Sequence, residues 1–365
     1  MQKAFNLFKK VSCLFIFVFS FFCSSCEISY AKSEKKLIVY IPPMLASTLI
    51  NKETEEIAWL DLSSIPNSIK SIYNLLLNYK ELAFDKNGAP VNSKIEVLQS
   101  SNTNNDYGIG QCDKKIMESL RHEFCQPGND FDVIRCPYDF RDSCAKNNIF
   151  NFDLINNYDE IYFIGYSQGG LVLSSFLSKI SPNIACKIKA CIFLATPIGG
   201  TIEPLYVFNN GVRLGWDFAG ILGKIFGVKN ISKELTKNWP AMYELLPLTT
   251  LNKGNKLLQN KSEYAIEKAK AFQTSLYDKN GKHISEKYNS YYIAGAGTRT
   301  MEELSKNSNG TVSISKYDDG DGTVLFKNSH PINAKKEKIY KVNQQHTSIL
   351  CDEVIKIIIN IIKNN

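Results

Sequence analysis

One short stretch constrains the fold of this chain more than any other, because it joins a buried strand to a helix through a very tight turn. The apolar run Ile161–Ile164 has the length and residue types of a strand, and residues 165–169 follow it as G-Y-S-Q-G. Apolar residues at helical spacing then continue to Leu177. The spacing G-x-S-x-G between a strand and a helix is typical of a turn that presents a serine. Glycines flank the serine because a Cβ there would collide with the strand or the helix.

The serine of this turn, Ser167, is placed for chemistry. It lies at a helix N-terminus, where free backbone N–H groups and the positive end of the helix dipole favour negative charge. The alternative is an inert Gly-Ser-rich loop, but the strand and helix patterns on either side favour a nucleophile. The stretch therefore predicts that Ser167 is a catalytic nucleophile.

The rest of the chain supplies the strands and helices that such a turn requires. Its 365 residues, 44% hydrophobic and 22% charged, have the composition of an ordinary globular protein. Apolar runs of strand length alternate with helical patterns, which predicts a mostly parallel central sheet flanked by helices, the α/β-hydrolase fold. The other predicted strands are 36–41, 131–136, 188–195, 290–296 and 338–343.

Two stretches break this alternation and are predicted to be insertions in one domain spanning 32–365. Residues of about 51–105 form a lid insertion, and residues of about 201–287 form a cap whose apolar residues we expect to pack with one another. An Ile-rich helix over 349–363 follows the last strand. We expect it to cover the sheet, and membrane binding is the alternative.

The first 31 residues have the pattern of a signal peptide. Three lysines precede an apolar core from Val11 to Cys23, and Ala31 ends a segment that suits cleavage. The pattern predicts a secreted protein or one of an endomembrane lumen. An uncleaved membrane anchor, or lipidation at Cys26, is the alternative.

The charge pattern narrows the classes of partner. The net charge is +7, but neither a basic run nor an arginine cluster indicates nucleic acid, and we infer no obligate protein partner.

Three of the ten cysteines lie in the predicted signal peptide, so an odd number remains. Cys112 with Cys125, or Cys125 with Cys144, are alternative disulfides. Cys136 and Cys191 fall in predicted strands and are expected to be buried thiols.

A serine nucleophile needs a general base and an acid that orients it, and the chain has only four histidines. In the predicted fold the order along the chain is nucleophile, acid, base. His346 sits directly after the last strand and is the predicted base, with His330 as second choice. The acid is expected in residues 318–323, D-D-G-D-G-T, where Asp321 is the prediction and Asp319 the alternative. A calcium loop would require further alternating acidic residues and a terminal glutamate.

The negative charge that forms on attack needs two preorganised N–H donors. One is expected from Gln168, the residue after the nucleophile, and the other from the loop after the first strand, where Leu45 is the best candidate. This arrangement predicts two-step acyl transfer. Ser167 attacks an ester carbonyl, and His346 protonates the leaving alcohol before it activates water or another alcohol. The expected chemistry uses no metal and no cofactor.

Seven segments, in order, resemble the lecithin:cholesterol acyltransferase family, which includes lysosomal phospholipase A2 and phospholipid:diacylglycerol acyltransferases. The resemblance spans roughly residues 37–350. The segments are 42–49 (PPMLASTL), 58–61 (AWLD), 136–141 (CPYDFR), 165–172 (GYSQGGLV), 196–200 (TPIGG), 240–247 (PAMYELLP) and 320–324 (GDGTV).

Carried over by these motifs, the resemblance implies the same triad and oxyanion donors, and it makes Trp59 a candidate for lipid contact. The chain departs from the family at Pro43, Tyr166 and Phe140, where glycine, histidine and tryptophan are usual. It also lacks paired cysteines near the lid. Tyr166 and Gln168 are where the turn departs from, or fills in, the family's pattern, so we expect both to help set the acyl-chain preference and Tyr166 to bind substrate.

The resemblance implies a lipid acyl hydrolase or acyltransferase, a phospholipase A or transacylase, acting on glycerophospholipid at a membrane surface or lipid particle. A neutral-lipid or small-ester esterase is the first alternative. A catalytically silent lipid-binding protein is the second.

Overall fold

A computed structural model describes residues 34–59, 65–98, 111–147, 155–211, 228–252 and 254–365 of the chain. The predicted signal peptide lies outside the described residues, as do parts of the predicted lid and cap. Residues 35–365 form one compact unit. The strands described are β1 (Lys36–Ile41), β2 (Leu49–Asn51), β3 (Ile95–Val97), β4 (Phe131–Arg135), β5 (Glu160–Tyr166), β6 (Ile188–Leu194), β7 (Ser290–Gly295), β8 (Thr298–Lys306), β9 (Val312–Gly320) and β10 (Ile339–Val342).

Helices cover both faces of the central sheet and build the insertions. They are α1 (Ile65–Asn78), α2 (Lys114–Phe124), α3 (Gln168–Leu177), α4 (Pro182–Ala185), α5 (Glu203–Asn210), α6 (Val228–Thr236), α7 (Pro240–Glu244), α8 (Glu263–Ser275) and α9 (Asp352–Lys363).

Six strands of the described chain form the central sheet, in the order β10-β7-β6-β5-β1-β4, and every neighbouring pair is parallel. The predicted strands are confirmed to within about two residues. They could be recognised because strands buried on both faces are near-continuous apolar runs. In β5, for example, every residue after Glu160 is buried.

The sheet order places a crevice between β1 and β5. The chain passes from β1 to the edge strand β4, then returns to β5 on the other side of β1 and continues outward. The loops after β1 and β5 therefore leave the sheet in opposite directions. Ligand sites of open α/β sheets lie at such a point, outside the carboxyl ends of the strands.

An antiparallel hairpin, β8–β9, lies between the predicted strands and was not predicted. Its strands are polar and largely exposed, so they lack the apolar signal by which the central strands were recognised. Cross-strand ion pairs support it, such as Lys316 Nζ to Glu302 Oε2 at 3.0 Å. The hairpin ends at Gly320, directly before Asp321.

The C-terminal helix α9 packs on the sheet, as predicted. Val354, Ile358 and Ile361 are buried in the same apolar cluster as Ile38 of β1 and Ile192 of β6. Among the described helices, none is long and apolar enough to cross a membrane.

The cap contributes to the main core. Trp239, Tyr243 and Leu246 are buried in the apolar cluster that contains Val39 and Phe193 of the sheet. The cap's apolar residues therefore pack on the sheet's cluster as well as with one another. The cap residues 212–227 lie outside the described part of the chain.

The cysteines test the disulfide alternatives. Cys125 and Cys144 are free thiols, so neither pairing that involves Cys125 forms. Cys136 and Cys191 are buried free thiols, as predicted.

Candidate active site

The turn at Ser167 has the strained backbone that the sequence pattern predicts. Ser167 lies at φ 54° and ψ −124°, directly before α3. A Cβ on Gly165 would come within 2.7 Å of the Cα of Gly170, and one on Gly169 within 2.4 Å of the carbonyl oxygen of Ile41. No real Cβ tolerates such distances. The glycines therefore allow the helix to start against both β5 and the end of β1.

The predicted base and acid meet at this serine. His346 follows β10 and begins a short 3₁₀ turn, His346–Ser348. Its Nε2 lies 2.9 Å from Ser167 Oγ, and its Nδ1 lies 2.7 Å from Asp321 Oδ2. The three side chains thus form one hydrogen-bonded chain, although they lie as far as 179 residues apart in sequence.

Asp321 is held in place by its own loop. The residue is 1% exposed, and its Oδ1 accepts the backbone N–H groups of Thr323 at 2.9 Å and Val324 at 2.6 Å. Its carbonyl oxygen accepts the N–H of His346 at 2.9 Å. The acid and base loops are therefore tied together through the backbone as well as the side chains.

The alternative acid, Asp319, and the alternative base, His330, make other contacts. Asp319 accepts the Gly297 N–H at 2.6 Å and Lys341 Nζ at 2.9 Å, so it fastens β9 to the sheet. His330 Nδ1 lies 3.1 Å from the Pro331 carbonyl oxygen. It lines a cavity of about 580 Å³ whose lining includes none of the three residues of the hydrogen-bonded chain. The geometry brings Asp321 and His346 to Ser167, and not these alternatives.

Residues 43–47, called here the oxyanion loop, follow β1 and pass the start of α3. Leu45 lies at φ 69°, in the left-handed region that is rare for a non-glycine residue. Its carbonyl oxygen accepts Trp59 Nε1–H at 3.3 Å. Gln168 is the first residue of α3, where a backbone N–H has no acceptor within the helix. Leu45 thus follows β1 and Gln168 follows β5, the two strands that flank the crevice. Binding of an oxyanion by their N–H groups stays a prediction.

The side chain of Gln168 is fully buried and points away from bulk solvent. Its Nε2 donates to the Phe140 carbonyl oxygen at 3.1 Å and lies 3.8 Å from Cys144 Sγ. It therefore joins the start of α3 to the loop after β4.

Tyr166 and Trp59, predicted to contact substrate, are both buried, at 5% and 6% exposed. The Tyr166 hydroxyl donates to the carbonyl oxygen of His346, and the two rings lie 5.8 Å apart. The Trp59 ring packs 5.4 Å from that of Phe140. Their described contacts thus support the base and the oxyanion loop. Contact of either side chain with substrate stays a prediction.

The motif residues Asp139 and Arg141 fasten the lid segment to the domain. Arg141 is fully buried, with Nη2 2.7 Å from Asp139 Oδ2. Its Nη1 and Nη2 also approach the carbonyl oxygens of Leu82 at 3.5 Å and Ile95 at 3.4 Å. Trp239 of the cap donates to the same Leu82 oxygen at 2.9 Å. One carbonyl group therefore links lid, cap and central domain.

A buried carboxylate joins the cap to the loop after β4. Glu244, in α7, accepts the Cys144 N–H at 2.7 Å and the Ser143 hydroxyl. Burial raises the pKa of Glu244 to about 7. Its backbone oxygen accepts the side-chain amide of Gln273, so α8 is held at the same point.

Three residues at the site were missed by sequence reasoning. Asp113 and Arg135 form a buried ion pair, and Tyr40 donates to Asp113 Oδ1 at 2.7 Å. Arg135 was visible only as a charged residue near the end of the predicted strand 131–136, which was the one signal available. No group of three side chains suited to a metal ion occurs within the described ranges.

Comparison with known proteins fits this geometry. The family model for lecithin:cholesterol acyltransferase matches residues 95–349, more than half of the chain. No curated protein sequence matches the chain. Among solved structures, the Tle4–Tli4 complex contains a chain with a TM-score of 0.63 at 12% identity, covering 91% of this chain and 99% of that one. At that identity the likeness shows the fold.

Two further solved structures are similar over most of both chains. The mature form of the Bacillus licheniformis lipase BlEst2 has 15% identity and a TM-score of 0.41, covering 90% of this chain and 93% of the lipase. A lipase-esterase related protein from Clostridium acetobutylicum has 13% identity and a TM-score of 0.34, covering 91% and 95%. These two scores carry no argument, but the parallel central sheet flanked by helices and the family match confirm the predicted α/β-hydrolase fold.

Proposed function

Because the chain belongs to the lecithin:cholesterol acyltransferase family, we propose that it is a serine-dependent lipid acyl hydrolase or acyltransferase that acts on glycerophospholipids. The observation that carries the proposal is the hydrogen-bonded chain from Ser167 through His346 to Asp321. Family membership supports the broad activity, hydrolysis or transfer of lipid acyl groups. The phospholipid substrate and the acyl-serine intermediate are the finer parts of the proposal.

In the proposed acylation step, Ser167 Oγ attacks the ester carbonyl carbon while His346 Nε2, 2.9 Å away, takes the hydroxyl proton. Asp321 accepts the hydrogen bond of His346 Nδ1–H and stabilises the imidazolium that forms. The carbonyl oxygen becomes negatively charged and is bound by the N–H groups of Leu45 and Gln168. His346 then gives its proton to the leaving lysolipid alcohol as the carbon–oxygen bond breaks.

Deacylation reverses these roles. His346 takes a proton from water or from an acceptor alcohol, whose oxygen attacks the acyl-serine carbonyl, and returns the proton to Ser167 as the enzyme is released. Water gives a fatty acid, whereas an alcohol gives a new ester. Both acceptors attack the same intermediate, so access of water to the site decides between the two products.

We further propose that the protein meets its substrate at a membrane surface or lipid particle after export. The pattern of residues 1–31 supports export, and the chain that remains after their removal has 40 basic and 35 acidic residues, a net charge of +5 that suits an anionic surface. In this proposal the lid and cap enclose an acyl chain drawn from that surface.

Product analysis on phospholipid vesicles, with and without a long-chain acceptor alcohol, tests the activity. We expect fatty acid and lysophospholipid without the alcohol, and a new ester with it if the enzyme is a transacylase. A panel of triglyceride and short esters run in parallel separates the esterase alternative, which predicts turnover there and none on vesicles.

Labelling with a fluorophosphonate tests the nucleophile independently of substrate choice. We expect Ser167 to be labelled, and Ser167→Ala and His346→Ala to lose turnover while remaining folded. His330→Ala is the matched histidine control and should keep wild-type turnover. Folded protein that neither labels nor turns over any ester would contradict the proposal and favour a silent lipid-binding protein.

A further inference from the structure

A buried ion pair lies behind the oxyanion loop. Arg135, the last residue of β4, has Nε 2.8 Å from Asp113 Oδ2, and the two side chains are 2% and 1% exposed. Tyr40 of β1 donates its hydroxyl to the other carboxylate oxygen. A buried ion pair is weak evidence for stability, because the desolvation of both charges can exceed their attraction. The contacts of this pair point to another role.

Arg135 also reaches the oxyanion loop. Its Nη2 donates to the carbonyl oxygen of Ala46 at 3.0 Å. Ala46 directly follows Leu45, whose N–H is the predicted oxyanion donor. The neighbouring residues are fixed as well, since Ser47 Oγ accepts the Tyr138 N–H at 3.1 Å and the Leu45 oxygen accepts from Trp59. A left-handed conformation at a non-glycine residue such as Leu45 persists only where its surroundings determine it.

The chemistry of arginine makes this contact directional. The guanidinium is planar and rigid, so an Nε–H that is aimed at Asp113 also fixes the direction of Nη2. Tyr40 and Asp113 therefore set where Arg135 holds the Ala46 carbonyl group. A lysine could pair with Asp113, but its single ammonium on a flexible stem has no such fixed second donor.

We propose that Arg135, oriented by Asp113 and Tyr40, is a positioning residue that holds the Leu45 N–H in place for the oxyanion. The inference rests on the proposed function, because it concerns the charge that forms when Ser167 attacks an ester. The ion pair would then serve the reaction and not the stability of the sheet.

Arg135→Lys separates these two roles. It keeps the charge and a partner for Asp113, so a purely structural role predicts near-normal stability and turnover. Positioning predicts that stability is largely kept while kcat falls. Tyr40→Phe is a second, milder variant, because it removes one hydrogen bond to Asp113 and leaves the ion pair intact. Tyr158→Phe is its matched control, since the Tyr158 hydroxyl donates to Asp132 Oδ2 at 2.6 Å, at the opposite end of β4.

The assay is steady-state hydrolysis of a soluble short ester, together with the rate at which a fluorophosphonate labels Ser167. Loss of a whole oxyanion donor lowers kcat by about 100- to 1000-fold, so misplacing one should cost Arg135→Lys roughly 10- to 100-fold. We expect a fall of a few-fold for Tyr40→Phe and none for Tyr158→Phe. KM should change little, and labelling should slow in parallel with kcat, because the phosphonyl oxygen uses the same donors.

Folded Arg135→Lys with wild-type kcat would overturn the inference, as would equal losses in Tyr40→Phe and Tyr158→Phe. If Arg135→Lys does not fold, the two tyrosine variants decide the question. A wild-type protein that neither turns over ester nor labels overturns the proposed function and this inference with it. If the wild type is active and none of the variants lowers kcat, the inference alone is overturned.

Discussion

Replacing Asp321 with asparagine should nearly abolish turnover without unfolding the protein, and the structure gives the reason. Oδ1 of Asp321 accepts two backbone N–H groups, at 2.9 and 2.6 Å, while Oδ2 faces His346 Nδ1 at 2.7 Å. In the asparagine variant the amide oxygen must take the position of Oδ1, because the opposite orientation would set its NH₂ group against the two backbone N–H donors. Each donor left unpaired costs roughly 1–3 kcal/mol, so the flipped amide is rare.

The amide NH₂ then faces His346 and donates to Nδ1. This forces the histidine proton onto Nε2, the atom that lies 2.9 Å from Ser167 Oγ and must accept the serine proton. The wrong tautomer therefore predominates, and in serine hydrolases this lowers kcat on the order of 10⁴-fold, or about 5.5 kcal/mol. Because asparagine is nearly isosteric and keeps both backbone hydrogen bonds, the free energy of unfolding should change little.

The assay is kcat and KM on a soluble short ester, with urea unfolding of each variant. Asp319→Asn is the matched control, since Asp319 is the neighbouring carboxylate that binds Gly297 N–H and Lys341. It should keep kcat within a few-fold of wild type. A kcat of Asp321→Asn above about a tenth of the wild-type value, or an equal loss of kcat in Asp319→Asn, would contradict this role of Asp321.

Two further predictions concern stability and pH. Burial raises the pKa of Glu244 from 4.5 to about 7, so the folded state binds the extra proton between these values and stability falls as pH rises through them. In urea unfolding at several pH values, the free energy of unfolding of the wild type should fall by up to roughly 3 kcal/mol more than that of Glu244→Gln between pH 4.5 and 7. An equal change with pH in both proteins would contradict this. Burial lowers the pKa of His283 from 6.5 to about 3, so the unfolded state binds the extra proton and stability falls as pH drops through that range. His283→Asn keeps an acceptor for the Ser285 N–H but does not titrate. Its free energy of unfolding should therefore fall less than that of the wild type on acidification, by up to roughly 5 kcal/mol. The smaller side chain leaves a cavity, so the comparison is of the change with pH and not of the stability at pH 7.

The central sheet and the members of the hydrogen-bonded chain could be predicted for the same physical reason. Strands buried on both faces must be apolar throughout, and their carboxyl ends must carry the loops that meet at one edge. Ser167 was marked by its glycines, and His346 by its place after the last strand. Asp321 was favoured over Asp319 by flanking glycines, and its place opposite His346 agrees with that choice.

What could not be predicted depends on contacts between residues distant in sequence. The β8–β9 hairpin has polar strands that are stable only as a pair, so neither strand gives a signal by itself. Asp113 lies 22 residues before Arg135 and 73 after Tyr40, and only the sheet brings the three together. The burial of Tyr166 and Trp59 likewise follows from the packing of the base loop and the lid, which no local pattern records.

The two loops that flank Ser167 are held by the same physical device. A polar group inside a protein is tolerated when it is hydrogen-bonded, and its partner is thereby fixed in position. The Tyr166 hydroxyl binds the carbonyl oxygen of the base His346, and Arg135 binds that of Ala46 in the oxyanion loop. Both donors come from the carboxyl ends of strands of the central sheet, Tyr166 from β5 and Arg135 from the edge strand β4. The loops on either side of Ser167 are therefore fixed by donors of the sheet, and the cap is held to the loop after β4 by other contacts, such as those of Glu244.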